Sequence, residues 1–205
     1  MKKLFINILK RTREINFRPA SEWQAIKDTP VSAKWHMKNY IIPITLVISI
    51  VTFLGYYFEL NYLEIPKLHI LLIAFIKTLS ALCKAFFTFY LTFQIVQELS
   101  PKFEINNKNE NLFKLLTYSF SAFWTMLFLA GILANYKSLG SFFIFMGLYG
   151  IFPFWVGSDI LLELPPDKKN KLLAVSLVIA ILVYLLIDWS FGFALRAAHL
   201  AGMMN

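Results

Sequence analysis

Five apolar runs separated by short basic segments constrain this chain more than any other feature. A helix needs about 20 largely apolar residues to cross about 30 Å of hydrocarbon. Residues 41–58, 68–99, 112–134, 139–164 and 172–195 each approach or exceed that length. With 58% hydrophobic and 16% charged residues, the chain lies far from the roughly 25% charged residues of soluble domains. The expected fold is all-α: an integral membrane protein whose residues 41–200 form a bundle of five transmembrane helices. Residues 1–40 precede it as a cytoplasmic segment of amphipathic, interfacial helices. Pro43 falls in the opening turn of the first run, where its missing N–H costs least. The second run is too long for a perpendicular crossing, so it must tilt or project from the bilayer.

The net charge of +8 raises the question of nucleic acid. The basic residues cluster at the ends of apolar runs, however, and not on one face between aromatics, so the charge sets topology and contacts anionic lipid. Nine Lys and Arg precede the first run; Lys102, Lys108 and Lys114 follow the second, and Lys168, Lys169 and Lys171 follow the fourth. Against these fifteen the opposite side has Lys67, Lys137 and Arg196. Short basic loops stay in the cytoplasm, so the N-terminus is expected inside and the C-terminus outside.

Chemistry-bearing motifs are sparse. Cys83, the single cysteine, sits in an apolar run and reads as packing. His36, His69 and His199 fall on different segments and on both sides of the expected membrane, which argues against a shared metal site. There is no HExxH, no GxSxG and no phosphate loop. Neither catalytic residues nor a cofactor or metal is expected. No short apolar stretch followed by a cleavage site resembles a removable signal peptide.

In MKKLFINILKRTREI, Leu4, Phe5, Ile8 and Leu9 recur at helical spacing among basic residues, the pattern of a helix lying in the headgroup layer. In RPASEWQAIKDTP, Pro19 can open a short helix with Trp23 and Ile26 on one face, and Pro30 closes it. Ser32 can cap a second short helix that leads into the first run. Trp23 and Trp35 read either as interfacial anchors or as groups that dock on the bundle.

Charged side chains inside spans are costly and mark helix pairing or function. Lys77 and Lys84 are seven residues apart on one face of the second run, Asp188 lies in the fifth, and Asp159 and Glu163 end the fourth. Depth allows Lys77 to pair with Asp188, and Lys84 with Asp159. Structural ties between helices and a polar ion path are the two readings. Gly140, Gly147, Gly150 and Gly157 fall within an arc of about 100° on a continuous helix, which suits close helix packing. Gly150 to Pro153 could alternatively be a hinge.

The order of these features resembles bacterial members of the Yip family, the Ypt-interacting proteins. The resemblance rests on Phe17, Pro19, Trp23 and Ile26, then Tyr40 and Pro43, KLLTYSFSAFW at 114–124, and LYGIFPFWVGSDILLELPPDKK at 148–169. Ala122, where the family pattern has proline, and Pro153 depart from it. The resemblance implies a five-span protein of a bacterial inner membrane with a non-enzymatic role in membrane shaping, scaffolding or assembly with other membrane proteins or itself. A GTPase partner follows only by analogy with the eukaryotic relatives. The competing expectation is a small transporter or channel built on Lys77, Lys84, Asp159 and Asp188.

Overall fold

In the computed structural model, residues 2–29, 32–62, 67–105, 109–133, 142–143 and 145–200 are described, with the backbone alone at 2–9, 62 and 197–200. The amphipathic pattern of Leu4, Phe5, Ile8 and Leu9 thus lies outside the described side chains, and Pro30 outside the described residues. Helix α1 (Lys2–Phe17) is followed by α2 (Pro19–Lys27), which starts on proline because the first helical N–H has no intrahelical partner to lose. Helix α3 (Ala33–His36) begins at Ser32, whose Oγ accepts the Trp35 N–H at 3.3 Å.

The helix then continues without a break through a π-helical stretch, Met37–Ile41, into α4 (Ile42–Tyr62). Pro43 therefore sits inside a longer helical rod and not in its first turn. Its ring would clash with the carbonyl four residues back, and the wider π turn immediately before it gives that carbonyl room.

Helix α5 (Lys67–Leu99) has 33 residues, about 50 Å at 1.5 Å per residue. A 3-10 turn, Ser100–Phe103, ends it, with Glu104 left-handed at φ 60°. Helix α6 (Asn109–Ile132) runs as unbroken α-helix through Ala122. A second 3-10 turn, Gly147–Gly150, leads into α7 (Ile151–Leu161), after which Glu163 is left-handed at φ 56°. Helix α8 (Pro166–Leu200) closes the chain's described part with 35 residues. No strand occurs among the described residues.

Four helical segments are long and apolar enough to cross a membrane: 33–61, 67–103, 109–132 and 166–196. The run at 139–164 is described only in part, as the 3-10 turn and the 11-residue α7. Helix α6 is the axis of the fold, 61% buried over its apolar window against 28%, 22% and 17% for the other three. It contacts α1, α3, α4, α5, α7 and the 3-10 turn before α7. At the α4–α6 crossing, a Cβ on Gly131 would lie 2.8 Å from Thr52 Oγ1, so glycine here sets how closely the two backbones approach.

Outside this centre the helices expose apolar rows. Ile42, Leu46, Ile50, Leu54 and Phe58 recur every fourth residue along one face of α4. Val178, Leu182, Leu186, Trp189 and Phe193 recur every third or fourth residue along α8. Such contiguous apolar surface is unfavourable in water and suits hydrocarbon.

Candidate functional site

The N-terminal helices dock on one end of the bundle through groups that sequence left undecided between lipid and protein. Trp23 is 0% exposed, lies edge-on to the Tyr118 ring at 6.0 Å, and donates its indole N–H to the Pro153 carbonyl at 2.8 Å. Pro19 and Ile26 are buried beside it. Trp35, by contrast, is 46% exposed. The two tryptophans thus divide: Trp23 is a docking residue, and Trp35 stays at the surface.

Hydrogen bonds extend this contact across three elements. The Thr12 and Tyr40 hydroxyls bond at 2.8 Å, joining α1 to the π stretch. His36 Nδ1 lies 3.1 Å from the Ser32 carbonyl, which can only accept, so Nδ1 carries the proton. In the neutral ring, Nε2 then accepts the Tyr118 hydroxyl at 3.1 Å. Lys114 Nζ donates to the Thr29 carbonyl at 2.9 Å, and Tyr149 Oη to that of Asn16 at 2.7 Å. Lys27 pairs with Glu163 at 2.8 Å. Arg11 and Glu22, paired at 2.5 Å, join α1 to α2.

Three glycines make the α7 side of the site. Gly147 and Gly150 lie in the 3-10 turn, whose tighter winding breaks the single α-helical arc expected for all four glycines. Gly140 lies outside the described residues. The seating is nevertheless regular: Gly147 faces Phe123, Gly150 faces the Ser119 carbonyl, and Gly157 faces Leu115. Those three α6 residues are spaced by four, one per turn. A Cβ on Gly150 would lie 2.6 Å from the Ser119 oxygen, and one on Gly157 would lie 2.6 Å from Trp23 Cζ2. Pro153 is the third residue of α7, directly after the 3-10 turn that runs into that helix.

The charged residues pair differently from the sequence expectation. Lys84 forms its ion pair with Asp188, and its ammonium lies 5.1 Å from the Tyr184 ring centroid. Asp159 is held instead by Lys169, whose Nζ lies 2.7 and 2.8 Å from its two oxygens and 4.0 Å from the Trp155 centroid. The expected Lys84–Asp159 pair therefore does not form, and Asp188 is engaged by Lys84 where Lys77 was expected. Helix α8 accounts for both changes, since its first turn brings Lys169 to Asp159 and its later turns carry Asp188 to the level of Lys84. The Lys77 ammonium lies 5.4 Å from the Tyr56 ring centroid. Glu104 pairs with Lys168, tying the loop after α5 to the start of α8.

Sequence reasoning read Lys169 only as a cytoplasmic retention charge and assigned no role to Tyr118, Gly131 or Thr12. The LELPPDKK stretch holds the one usable signal, since a turn that follows Asp159 at once must return its lysines to the same end of the bundle. Among the described residues no three His, Cys, Asp or Glu side chains gather as a metal site. Comparisons with protein-family models, characterised proteins and solved structures return no match for this chain.

Proposed function

We propose that this chain is a five-span integral membrane protein of the Yip type, with a cytoplasmic N-terminus, that serves as a non-enzymatic scaffold for other membrane proteins or for further copies of itself. The observation that carries the reading is how its charged side chains end. Lys84 meets Asp188, Asp159 meets Lys169, Glu163 meets Lys27, and Lys77 lies at Tyr56. Charges closed on partners in this way tie helices together; an ion path would string them along a shared polar cavity.

The docked N-terminal helices add support. They form a platform fixed to α6 by Lys114, to α7 by Trp23 and to the 3-10 turn before α7 by Tyr149. Beside it Lys34 and Lys38 are exposed, a basic surface suited to anionic headgroups. A bacterial inner membrane and the fifth span, at 139–164, belong to the same proposal.

Two measurements test it. In a Cys83→Ala background, Lys34→Cys should react with a membrane-impermeant maleimide from the cytoplasmic side and Arg196→Cys from the opposite side; reaction from one side alone would overturn the five-span topology. Purified protein in liposomes should give no more proton or cation flux than empty vesicles. Flux abolished by Lys84→Ala would establish the transporter reading in its place.

A further inference from the structure

An elongated cavity of about 420 Å³ lies between α5, α6, α8 and the turn before α7, within the roughly 300–1,000 Å³ of ligand pockets. Along α8 its wall runs from Leu173 to Leu185, about 18 Å of helix at 1.5 Å per residue. Its rim includes Phe145, Ile181 and Leu185, which are exposed on the apolar flank of the bundle. No lining residue carries a formal charge.

Beside the Tyr184 phenol, three of its lining residues carry aliphatic hydroxyls: Thr88 from α5, Ser119 from α6 and Ser176 from α8. They are 2%, 5% and 5% exposed, and their hydroxyls have no hydrogen-bond partner among the described residues. A buried hydroxyl without a partner is costly, yet three such residues, from three different helices, line one cavity. Ser119 and Ser176 each lie ten residues into helices that start from the same end of the bundle. Both therefore sit about 15 Å in from that end, deeper than a charged headgroup is placed without great cost.

We infer that this cavity binds an uncharged membrane lipid, laying one hydrocarbon chain along α8 and placing a hydroxyl or carbonyl oxygen against Thr88, Ser119 and Ser176. The length of the slot matches a chain, its rim opens toward hydrocarbon, and the hydroxyls offer both donors and acceptors. An uncharged polar group loses far less than a phosphate on entering such a site.

The test uses the full chain in phosphatidylcholine nanodiscs containing a small fraction of either of two probes with the same diazirine-bearing acyl chain: a diacylglycerol or a phosphatidylcholine. After irradiation, labelled residues are mapped by mass spectrometry. Diacylglycerol should label Phe120 and Leu177, in the cavity wall, about fivefold more than the phosphatidylcholine probe does, the factor that one net hydrogen bond supplies. Both probes should label outward-facing Val178 and Leu182 equally. The triple variant Thr88→Val, Ser119→Ala, Ser176→Ala should bring the two probes level in the cavity. Should that variant fail to fold, Ala180→Phe, which fills the slot and keeps the hydroxyls, should lower cavity labelling several-fold. Equal labelling by the two probes in the unaltered protein, preference for phosphatidylcholine, or an undiminished preference in a folded variant overturns the proposal.

Discussion

The Trp23 indole donates to the Pro153 carbonyl at 2.8 Å across 130 residues of sequence, and this bond joins the N-terminal segment to the first turn of α7. Replacing Trp23 by Ala empties a fully buried site and should destabilise the protein by about 3–5 kcal/mol. Trp23→Phe keeps most of the ring volume and loses the hydrogen bond, and should cost about 1–2 kcal/mol. Unfolding in mixed micelles measures both, and a Trp23→Phe variant as stable as the unaltered protein would show that the hydrogen bond contributes nothing.

Gly157 faces Trp23, so its substitution tests the same contact from the other side. A Cβ there meets Trp23 Cζ2 at 2.6 Å and Leu115 Cδ1 at 2.8 Å, so Gly157→Ala should cost about 1–3 kcal/mol. Gly150→Leu should destabilise the bundle as well, because its Cβ meets the Ser119 backbone, which cannot rotate away. Gly192 meets nothing within 4 Å, and Gly192→Ala should be neutral or stabilising by up to about 1 kcal/mol through helix propensity. Thermal melting in detergent should order the variants accordingly.

The Lys84–Asp188 pair can be separated from the pairing that depth alone suggested. A double-mutant cycle to Ala should give a coupling of at least about 0.5 kcal/mol for Lys84 with Asp188. For Lys84 with Asp159 the same cycle should be additive within about 0.5 kcal/mol. The charge exchange Lys84→Asp with Asp188→Lys should recover stability lost in either single variant.

Glu163 combines a left-handed backbone, φ 56°, with an exposed ion pair to Lys27. Holding a non-glycine residue there costs about 1 kcal/mol, and such a pair returns about 0–1 kcal/mol. Glu163→Gly loses the pair but relieves the backbone, whereas Glu163→Ala loses the pair alone. The glycine variant should therefore be more stable than the alanine variant by about 1 kcal/mol in the same micelle unfolding assay. Equal stability would mean that the backbone at this position is unstrained.

Much of the local structure was legible because its causes are local. Pro19 starts α2 and Ser32 caps α3 where an unpaired N–H is expected, and apolar length marks the runs that become α5, α6 and α8. The contribution of Pro43 was harder to read, since the π-helical stretch that accommodates it has no residue signature in MKNYI. The glycine arc assumed one continuous α-helix; the 3-10 turn at Gly147–Gly150 changes the winding, and Gly147, Gly150 and Gly157 still all face α6.

Sequence by itself determined that this chain is helical, where its long apolar helices lie, and which few charged residues would need partners. These properties depend on residue type and on periods of three to four residues along one helix. Only the tertiary structure decided that Asp188 goes to Lys84, that Lys169 takes Asp159, and that Trp23 enters the gap left by Gly157. Partner choice depends on how each helix is rotated and how far it slides against its neighbours. Those two quantities are set by side-chain packing between neighbouring helices, and no spacing within a single helix encodes them.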